Sequence, residues 1–564
     1  MADLAGLSPH RGRAPRRDGL LPKIVTTFRQ GYGFKDLRAD AVSGLTVAIV
    51  ALPLAMALAI ASGTGPEKGL VTVVVAGFLI SALGGSRYQI GGPTGAFVVV
   101  VAHVIAQHGY DGLLLATLMA GLMLLVAGVL KVGTFMRYIP EPVVTGFTAG
   151  IAVIIFSSQV KDFFGLSIAH LPAEFLGQWE ALLAGASSLS PVTTAVSAGA
   201  LALILVLRKI APKAPGFLIA VLLGAVLVTA FHLPVATIGS RFGALSAGLP
   251  APAFPVVTLE RLSDLLPSAI TIAFLAGVES LLSAVVADGM TGGRHRPNAE
   301  LVAQGVANTA SALFGGLPAT GAIARTATNI RAGARSPMSG VLHAVFVLAV
   351  MLVLAPFAVY IPLASLAAIL MVVAWNMSEM DKMRHLMSAP MGDRILLLST
   401  FFLTVVVDLT VAIGVGVVLA AVIFMHRMAE ASSVAHLPDT DETDSRALLP
   451  PGVEAFDVSG PLFFGAAARL SEVLDQIGQP PRAFILRMED VPLIDATGAG
   501  AIADFVRRCR NGGTRVILCG LRPQTARVLS QMGLKPEPPA ILWVDSFEEA
   551  LHASAADPAT PSIA

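Results

Sequence analysis

The chain reads first as long apolar blocks separated by short polar connections. A helix needs about twenty apolar residues to cross the hydrocarbon of a bilayer. Blocks near that length recur at Ala41–Ala61, Leu113–Leu130, Val143–Ser158, Thr194–Leu207, Phe217–Phe231 and Ile270–Ala287. Others run over Leu301–Phe314, Val341–Tyr360, Leu363–Trp375, Leu396–Asp408 and Leu409–Met425. The pattern predicts a bundle of membrane-spanning helices. Two apolar segments are short and follow helix breakers: Ala96–Ala106 after Gly91-Gly92-Pro93, and Ala322–Ile330 after Gly315-Gly316-Leu317-Pro318. Such spacing predicts helices that start part-way across the membrane.

The two interruptions resemble each other. Thr94-Gly95-Ala96 recurs as Thr320-Gly321-Ala322, an offset of 226 positions, each preceded by a Gly-Gly pair and a Pro. The same offset places Pro53, in the first span, opposite Glu279, which reads as the one central carboxylate. Two repeated halves are implied. Transporters built so hold their ligand at the repeat interface, where broken helices point positive N-termini at an anion.

From about Pro450 the pattern changes to short strands, Val453–Val458, Phe484–Met488, Arg515–Cys519 and Ile541–Val544. Helices are expected at Gly465–Gln476, Ala499–Arg510, Pro523–Gln531 and Phe547–His552. This is a small alternating α/β domain. The chain therefore divides into an N-terminal segment at 1–35, a transmembrane transport domain at 36–430, a polar linker at 431–448 and a soluble domain at 449–556.

Composition agrees with two environments. The 564 residues are 55% hydrophobic and 13% charged, against about a quarter charged in soluble domains. Positions 1–40 hold Arg11, Arg13, Arg16, Arg17, Lys23, Arg29, Lys35 and Arg38 against Asp3, Asp18, Asp36 and Asp40. That excess places the N-terminus in the cytoplasm. The following apolar block is too long for a signal peptide and is read as a span. The two cysteines, Cys509 and Cys519, lie in the soluble tail, and no Cys/His cluster has metal-ligand spacing. No metal, cofactor or nucleic acid is expected, and no nucleophile, base and orienting group stand at workable spacing for an enzyme.

Arg325 interrupts an apolar run, Thr320-Gly321-Ala322-Ile323-Ala324-Arg325-Thr326. It reads as an anion-recognising group assisted by backbone donors around Thr94, Gly95, Ala96 and Phe97 and around Ala322, Ile323 and Ala324. A positive-inside anchor or a structural salt bridge is the alternative. Glu279, with Ser283 one helical turn later, reads as a carboxylate that binds and releases a proton, or ligates sodium together with Ser283. A static partner for Arg325 is the other reading. Asp288 reads as interfacial, Pro53 as a kink or a freed carbonyl, His103, near Gln107 at the end of the first broken helix, as a hydrogen-bonded packing residue rather than a relay, and Asp408 as a turn residue. In the tail, Asp495 or Thr497 caps a helix, and Thr497 is a candidate phosphorylation or partner-docking position.

These residues resemble the SulP family of anion permeases, also called solute carrier family 26, whose members join a membrane domain to a cytoplasmic STAS domain. The matching motifs are Leu52-Pro53-Leu54-Ala55-Met56-Ala57, Gly91-Gly92-Pro93-Thr94, Pro142–Gly150 with Gln159-Val160-Lys161-Asp162, and the Glu279 and Arg325 segments. Ala319–Pro337 and Val373–Glu379 look especially like the bacterial C4-dicarboxylate member. The resemblance implies an α-helical membrane protein of about fourteen spans in two inverted seven-helix repeats, with a core domain moving against a gate domain. It further implies an anion between the third and tenth helices, a homodimer in the inner membrane, both termini cytoplasmic, and a STAS domain open to protein partners. Sodium-dependent bicarbonate members carry Asp and Thr where this chain has Glu279 and Ser283, and lack an arginine at 325. Both departures disfavour sodium and bicarbonate. Ala57–Ala59 replaces the family's tyrosine-containing pattern, and Thr497 falls where the family has a phosphorylatable serine.

Bringing a dianion into an inside-negative cell costs about 2 × 2.3 kcal/mol per 100 mV, so uptake needs coupling. The sequence thus points to proton-coupled uptake of a small inorganic or organic anion, sulfate or a C4-dicarboxylate. An anion exchanger, a sodium-coupled bicarbonate carrier and a non-transporting membrane sensor are the competing classes.

Overall fold

The computed structural model describes residues 19–134, 140–168, 171–172, 174–212, 214–244, 246, 248–430, 432–436, 449–463 and 480–555. The expected helix at Gly465–Gln476 lies outside the described residues, as do Arg11, Arg13, Arg16 and Arg17. Two compact units divide the chain, 1–417 and 418–564.

The first unit is helical. A short helix, α1 (Lys23–Arg29), precedes α2 (Phe34–Ala61), α3 (Pro66–Leu83), α4 (Ala96–Val129) and α5 (Glu141–Phe164). There follow α6 (Phe175–Ala184), α7 (Pro191–Ile210), α8 (Gly216–Ala230) and α9 (Ile238–Phe242). The second half holds α10 (Leu259–Thr291), α11 (Pro297–Leu313), α12 (Ile323–Arg331), α13 (Met338–Leu354), α14 (Leu363–Met377), α15 (Met380–Leu386), α16 (Met391–Val406) and α17 (Leu409–Glu430). Local chemistry sets many boundaries. Pro66, Pro191 and Pro297 occupy first-turn positions where no N–H is needed. Ser190 and Thr258 accept first-turn amides with their hydroxyls. Gly165 and Gly292 close α5 and α10 in the left-handed conformation.

Among the described residues, nine helices are long and apolar enough to cross a membrane. The 34-residue α4 breaks at Gly109, whose φ of 71° and ψ of 178° are non-helical, so it supplies two segments. Counting that split and the shorter α8, α11, α12 and α16 gives the fourteen segments expected. Ala96–Ala106 and Leu113–Leu130 are thus the two arms of one bent helix. The apolar blocks read from the sequence leave out α3, which the structure adds as a further span.

The spans pack as two groups. Helices α2, α3, α4, α10, α11, α12 and α13 form one set, in which α4 lies against α10 and α11 while α2 lies against α13. Helices α5, α7, α8, α14 and α16 form the other, with α5 against α14 and α16. Small residues allow close approach: a Cβ on Gly121 would sit 2.6 Å from the Thr309 amide nitrogen.

Inside the first group a two-stranded ladder joins the repeats. Strand β1 (Gly91–Gly92) pairs antiparallel with β2 (Thr320–Gly321), Gly91 opposite Gly321 and Gly92 opposite Thr320. The Ala322 amide extends it by donating to Ile90 O at 2.8 Å. Helices α4 and α12 leave from opposite ends of this ladder, as inverted halves require.

The second unit is a five-stranded sheet ordered β3-β4-β5-β6-β7. Strand β3 (Ser433–His436), inside the stretch read as a linker, runs antiparallel to β4 (Val453–Ser459). Strands β4, β5 (Ala483–Arg487), β6 (Arg515–Cys519) and β7 (Ile541–Val544) are parallel. Helices α18 (Ala496–Asn511), α19 (Pro523–Gln531) and α20 (Phe547–Ala555) follow β5, β6 and β7. Period-two alternation sends Phe456, Phe484 and Leu518 to one face against Ile502 and Phe505, and Ala455, Ile485 and Ile517 to the other, beside Ala550. Burying each large apolar side chain contributes roughly 2 kcal/mol.

Candidate functional site

The site grows from the two helix beginnings. Helix α4 starts at Ala96 with Gly95 before it, and α12 starts at Ile323 with Ala322 before it. Neither has a side chain capping its first amides. The opening amides of a helix lack intrahelical acceptors and carry the positive end of its dipole. Gly95, Ala96, Phe97 and Ala322 are buried, whereas Ile323 and Ala324 are exposed.

Arg325, only 2% exposed, reaches across from α12 to the other repeat. Its Nη2 donates to Pro93 O at 2.5 Å, within the turn that opens α4. Its Nε and Nη1 have no hydrogen-bond partner among the described residues. Gly92 is required here: its φ of +151° disfavours a side chain, and a Cβ would lie 2.4 Å from Arg325 Nη1. A buried guanidinium without a countercharge costs several kcal/mol. Arg325 is buried within the helix bundle, and no salt bridge to it forms within 4.0 Å among the described residues.

Glu279 stands on α10 and is partly exposed. Thr94, in the α4 turn, donates its hydroxyl to Glu279 Oε2 at 2.9 Å. The carboxylate therefore sits at the start of α4 rather than against Arg325. Ser283 is separated from it: the Ser283 hydroxyl donates to Thr326 Oγ1 at 3.2 Å, and that oxygen also accepts the Ile90 amide at 3.1 Å. Thr320 mirrors Thr94 in sequence but not in role, since its hydroxyl donates to Ala276 O at 2.9 Å. The structure thus brings Thr94, Glu279 and the Arg325 guanidinium to the α4 turn and leaves Ser283 in the α10–α12 packing.

The residues expected to be structural behave variously. Pro53 is buried within an unbroken α2. Asp288 accepts from the His295 amide at 2.8 Å and contacts its Nδ1 at 2.7 Å, an ion pair when the ring is charged. Asp408 turns the chain into α17 by accepting from the Val411 amide at 3.0 Å. His103, read as a packing residue, is exposed on the first arm of α4, as is Gln107. His103 lines a cavity of about 440 Å³ between that arm, α5 and the α16–α17 connection. Asp495, not Thr497, caps α18, accepting from Gly498 N at 2.7 Å, so the helix starts at Ala496. Thr497 is exposed.

A buried carboxylate not singled out from the sequence lies on α11. Glu300, fully buried on α11, accepts from Gly85 N at 2.9 Å, Ser280 Oγ at 2.9 Å and Gln304 Nε2 at 3.0 Å. Gln89 Nε2 joins through Ser280 Oγ at 2.5 Å. Glu300 and Gln304 stand at i,i+4 in an apolar helix, which is the signal that could have found them. The second group of helices also reaches the α4 turn. A Cβ on Gly95 would lie 2.4 Å from Met377 Sδ, at the end of α14, and 3.3 Å from Ile155 Cδ1 on α5.

Among the described residues no group of His, Cys, Asp and Glu is arranged to hold a metal ion. What the arrangement offers is positive potential at the α4 turn, with one carboxylate beside it.

Known proteins share both units. Residues 37–400 match the sulfate permease family, and residues 447–550 match the STAS domain. A putative sulfate transporter of Bacillus subtilis, YvdB, is 44% identical over 509 residues, covering 90% of this chain and 95% of its own. The bicarbonate transporter BicA of a Picosynechococcus species is 32% identical, covering 92% and 94%. Among solved structures, the transmembrane domain of a cyanobacterial BicA superposes with a TM-score of 0.62 at 34% identity, covering 68% of this chain and 98% of that one. Murine Slc26a9 in the inward-facing state superposes with a TM-score of 0.86 over 97% of both chains, at an identity of 16% that speaks for the fold alone. The chain therefore belongs to the sulfate permease family of multi-pass membrane anion transporters, and it carries a C-terminal STAS domain.

Proposed function

We propose that the protein takes up a small dianion, sulfate or a C4-dicarboxylate, together with protons. The observation that carries this reading is the bond from Thr94 to Glu279 at the head of α4. In this reading the anion rests against the opening segments of α4 and α12, from Thr94 to Phe97 and from Ala322 to Ala324, where the Ala322 and Phe97 amides are already held by Ile90 O and Thr94 O, and is drawn by the buried Arg325. An ionised Glu279 at the same turn repels it. Two unit charges 4 Å apart interact by about 4 kcal/mol at a protein-surface dielectric. Protonating Glu279 removes that repulsion, so anion and proton favour each other's binding, which is the thermodynamic content of symport. Ser283, whose hydroxyl donates to Thr326, is not needed for this proton-coupled step, and its oxygen would serve as a ligand in a sodium-coupled one.

Two helix groups that meet at Gly95 and Met377 support an elevator-like cycle. In it the group carrying α4 and α12 moves against the group carrying α5 and α14. A homodimer in the inner membrane with both termini cytoplasmic, and a STAS domain whose exposed Thr497 is a phosphorylation or docking position, complete the proposal.

A sodium-coupled bicarbonate carrier is the second reading, favoured by the BicA relatives. A substrate panel in proteoliposomes separates the two. The first reading expects sulfate or a dicarboxylate to accumulate uphill when an inward proton gradient is imposed. Bicarbonate uptake that needs sodium and ignores the proton gradient refutes it.

A further inference from the structure

Three connections outside the spans converge on one side of the membrane unit. The Lys23 amide donates to Gly84 O at 2.9 Å, and the Arg296 amide donates to the neighbouring carbonyl, Gly85 O, at 3.0 Å. Arg87 follows two residues later in the same loop. The start of α1, the α3–β1 loop and the α10–α11 connection thus hold three cationic side chains around one short backbone segment. Both guanidiniums are tied to the α1 region: Arg296 Nη1 donates to Leu21 O at 2.6 Å, and Arg87 Nη2 donates to Gln30 Oε1.

These three cations have no carboxylate within 4.0 Å among the described residues. Of the acids near the cluster, Asp288 is engaged by His295 through two hydrogen bonds, and the buried Glu300 is engaged by the Gly85 amide, Ser280 and Gln304. The Lys23 ammonium is held below the ordinary lysine value by its burial and by the Arg296 and Arg87 guanidiniums, with Asp288 opposing. Like charges kept together in this way are stabilised by a bound anion.

The surroundings say which anion. Leu20 and Phe28, on and beside α1, are 44% and 52% exposed, and Phe34, which opens the first span, is 81% exposed. A basic cluster at the ends of spans, flanked by exposed apolar side chains, is the pattern that meets a lipid headgroup above and acyl chains beside it. We propose that Lys23, Arg87 and Arg296 form a phosphate-binding site for the headgroup of an anionic membrane lipid, with Leu20, Phe28 and Phe34 against its chains.

The test uses the purified full chain in detergent, offered phosphatidylglycerol, phosphatidylcholine or inorganic phosphate, and reads lipid retention by native mass spectrometry together with the melting temperature. The wild type should retain and be stabilised by phosphatidylglycerol in preference to phosphatidylcholine. Lys23→Gln and Arg296→Gln should each weaken that preference about fivefold, as expected for roughly one basic residue at a lipid surface. Lys23→Arg should keep it, and Arg384→Gln, on α15, should leave it untouched. If Arg296→Gln does not fold, Arg87→Gln serves in its place, because its side chain is partly exposed. Equal retention of the two lipids, an undiminished preference in the Gln variants, or equal stabilisation by inorganic phosphate without lipid overturns the proposal.

Discussion

Thr94 donates its hydroxyl to Glu279 across 2.9 Å, tying the turn that opens α4 to the middle of α10. Arg325 meets the same turn from the opposite repeat, through Pro93 O. A carboxylate and a guanidinium thus address one stretch of backbone without touching each other. A direct ion pair would neutralise both groups; held apart, each remains available to a mobile partner.

Thr94→Val keeps the shape of the side chain and removes the donor. A hydrogen bond to a charged group is worth about 1.5–3 kcal/mol. Because the hydroxyl favours the ionised carboxylate, its loss should favour protonated Glu279 and move the pH dependence of uptake to higher pH. Uptake rates measured across pH would show this. An unchanged profile would mean that Glu279 does not govern the pH response.

Arg325→Lys keeps the charge and loses the planar fork. Lysine cannot reach Pro93 O and present further donors in the same fixed geometry. Losing about 2 kcal/mol of charged hydrogen bonding should raise the apparent KM for the anion roughly thirtyfold. Arg325→Gln should be worse than Arg325→Lys. Equal KM values in all three proteins would remove Arg325 from the site.

At the α4 turn a Cβ on Gly95 would run into Met377 of the other helix group. Gly95→Ala places a methyl group 2.4 Å from Met377 Sδ and should slow uptake. Met377→Ala makes room for it. Paired with Gly95→Ala it should recover most of the rate, the non-additivity expected of residues in contact. Independent effects of the two changes would deny the contact a role in the cycle.

Glu300→Ala strands the Gly85 amide and the Ser280 hydroxyl inside the protein, while Gln304 Nε2 keeps its bond to Ser280 Oγ. Each unsatisfied buried donor costs about 1–3 kcal/mol. The purified variant should melt well below the wild type, while Glu300→Gln, which keeps an acceptor oxygen, should lose less. A wild-type melting temperature in Glu300→Ala would contradict the network drawn around it.

Much of this was legible in the sequence where a local rule was broken. Glycine and proline at 91–93 and 315–318 interrupted apolar runs and so announced the two short helices. Arg325 and Glu279 stood out because charge is rare inside spans. Glu300 escaped because it opens a helix, a place where acids are ordinary, so that its pairing with Gln304 one turn later carries little weight against a solvated face. Helical periodicity put Ser283 beside Glu279, but a neighbouring element, Thr326, took its hydroxyl. Spacing within one helix cannot foresee a partner from another. Strand β3 was hidden for a similar reason, since Ser433–His436 is short and pairs with β4 only through the fold of the whole domain.

The most direct measurement is uphill uptake of radiolabelled sulfate or dicarboxylate into proteoliposomes under an imposed proton gradient, comparing the wild type with Glu279→Gln, while proton influx is followed in the same vesicles. The wild type should accumulate the anion with accompanying protons. Glu279→Gln should bind the anion and let it equilibrate, with no accumulation. Undiminished uphill uptake in Glu279→Gln, with protons still entering alongside the anion, would contradict the role given to this carboxylate.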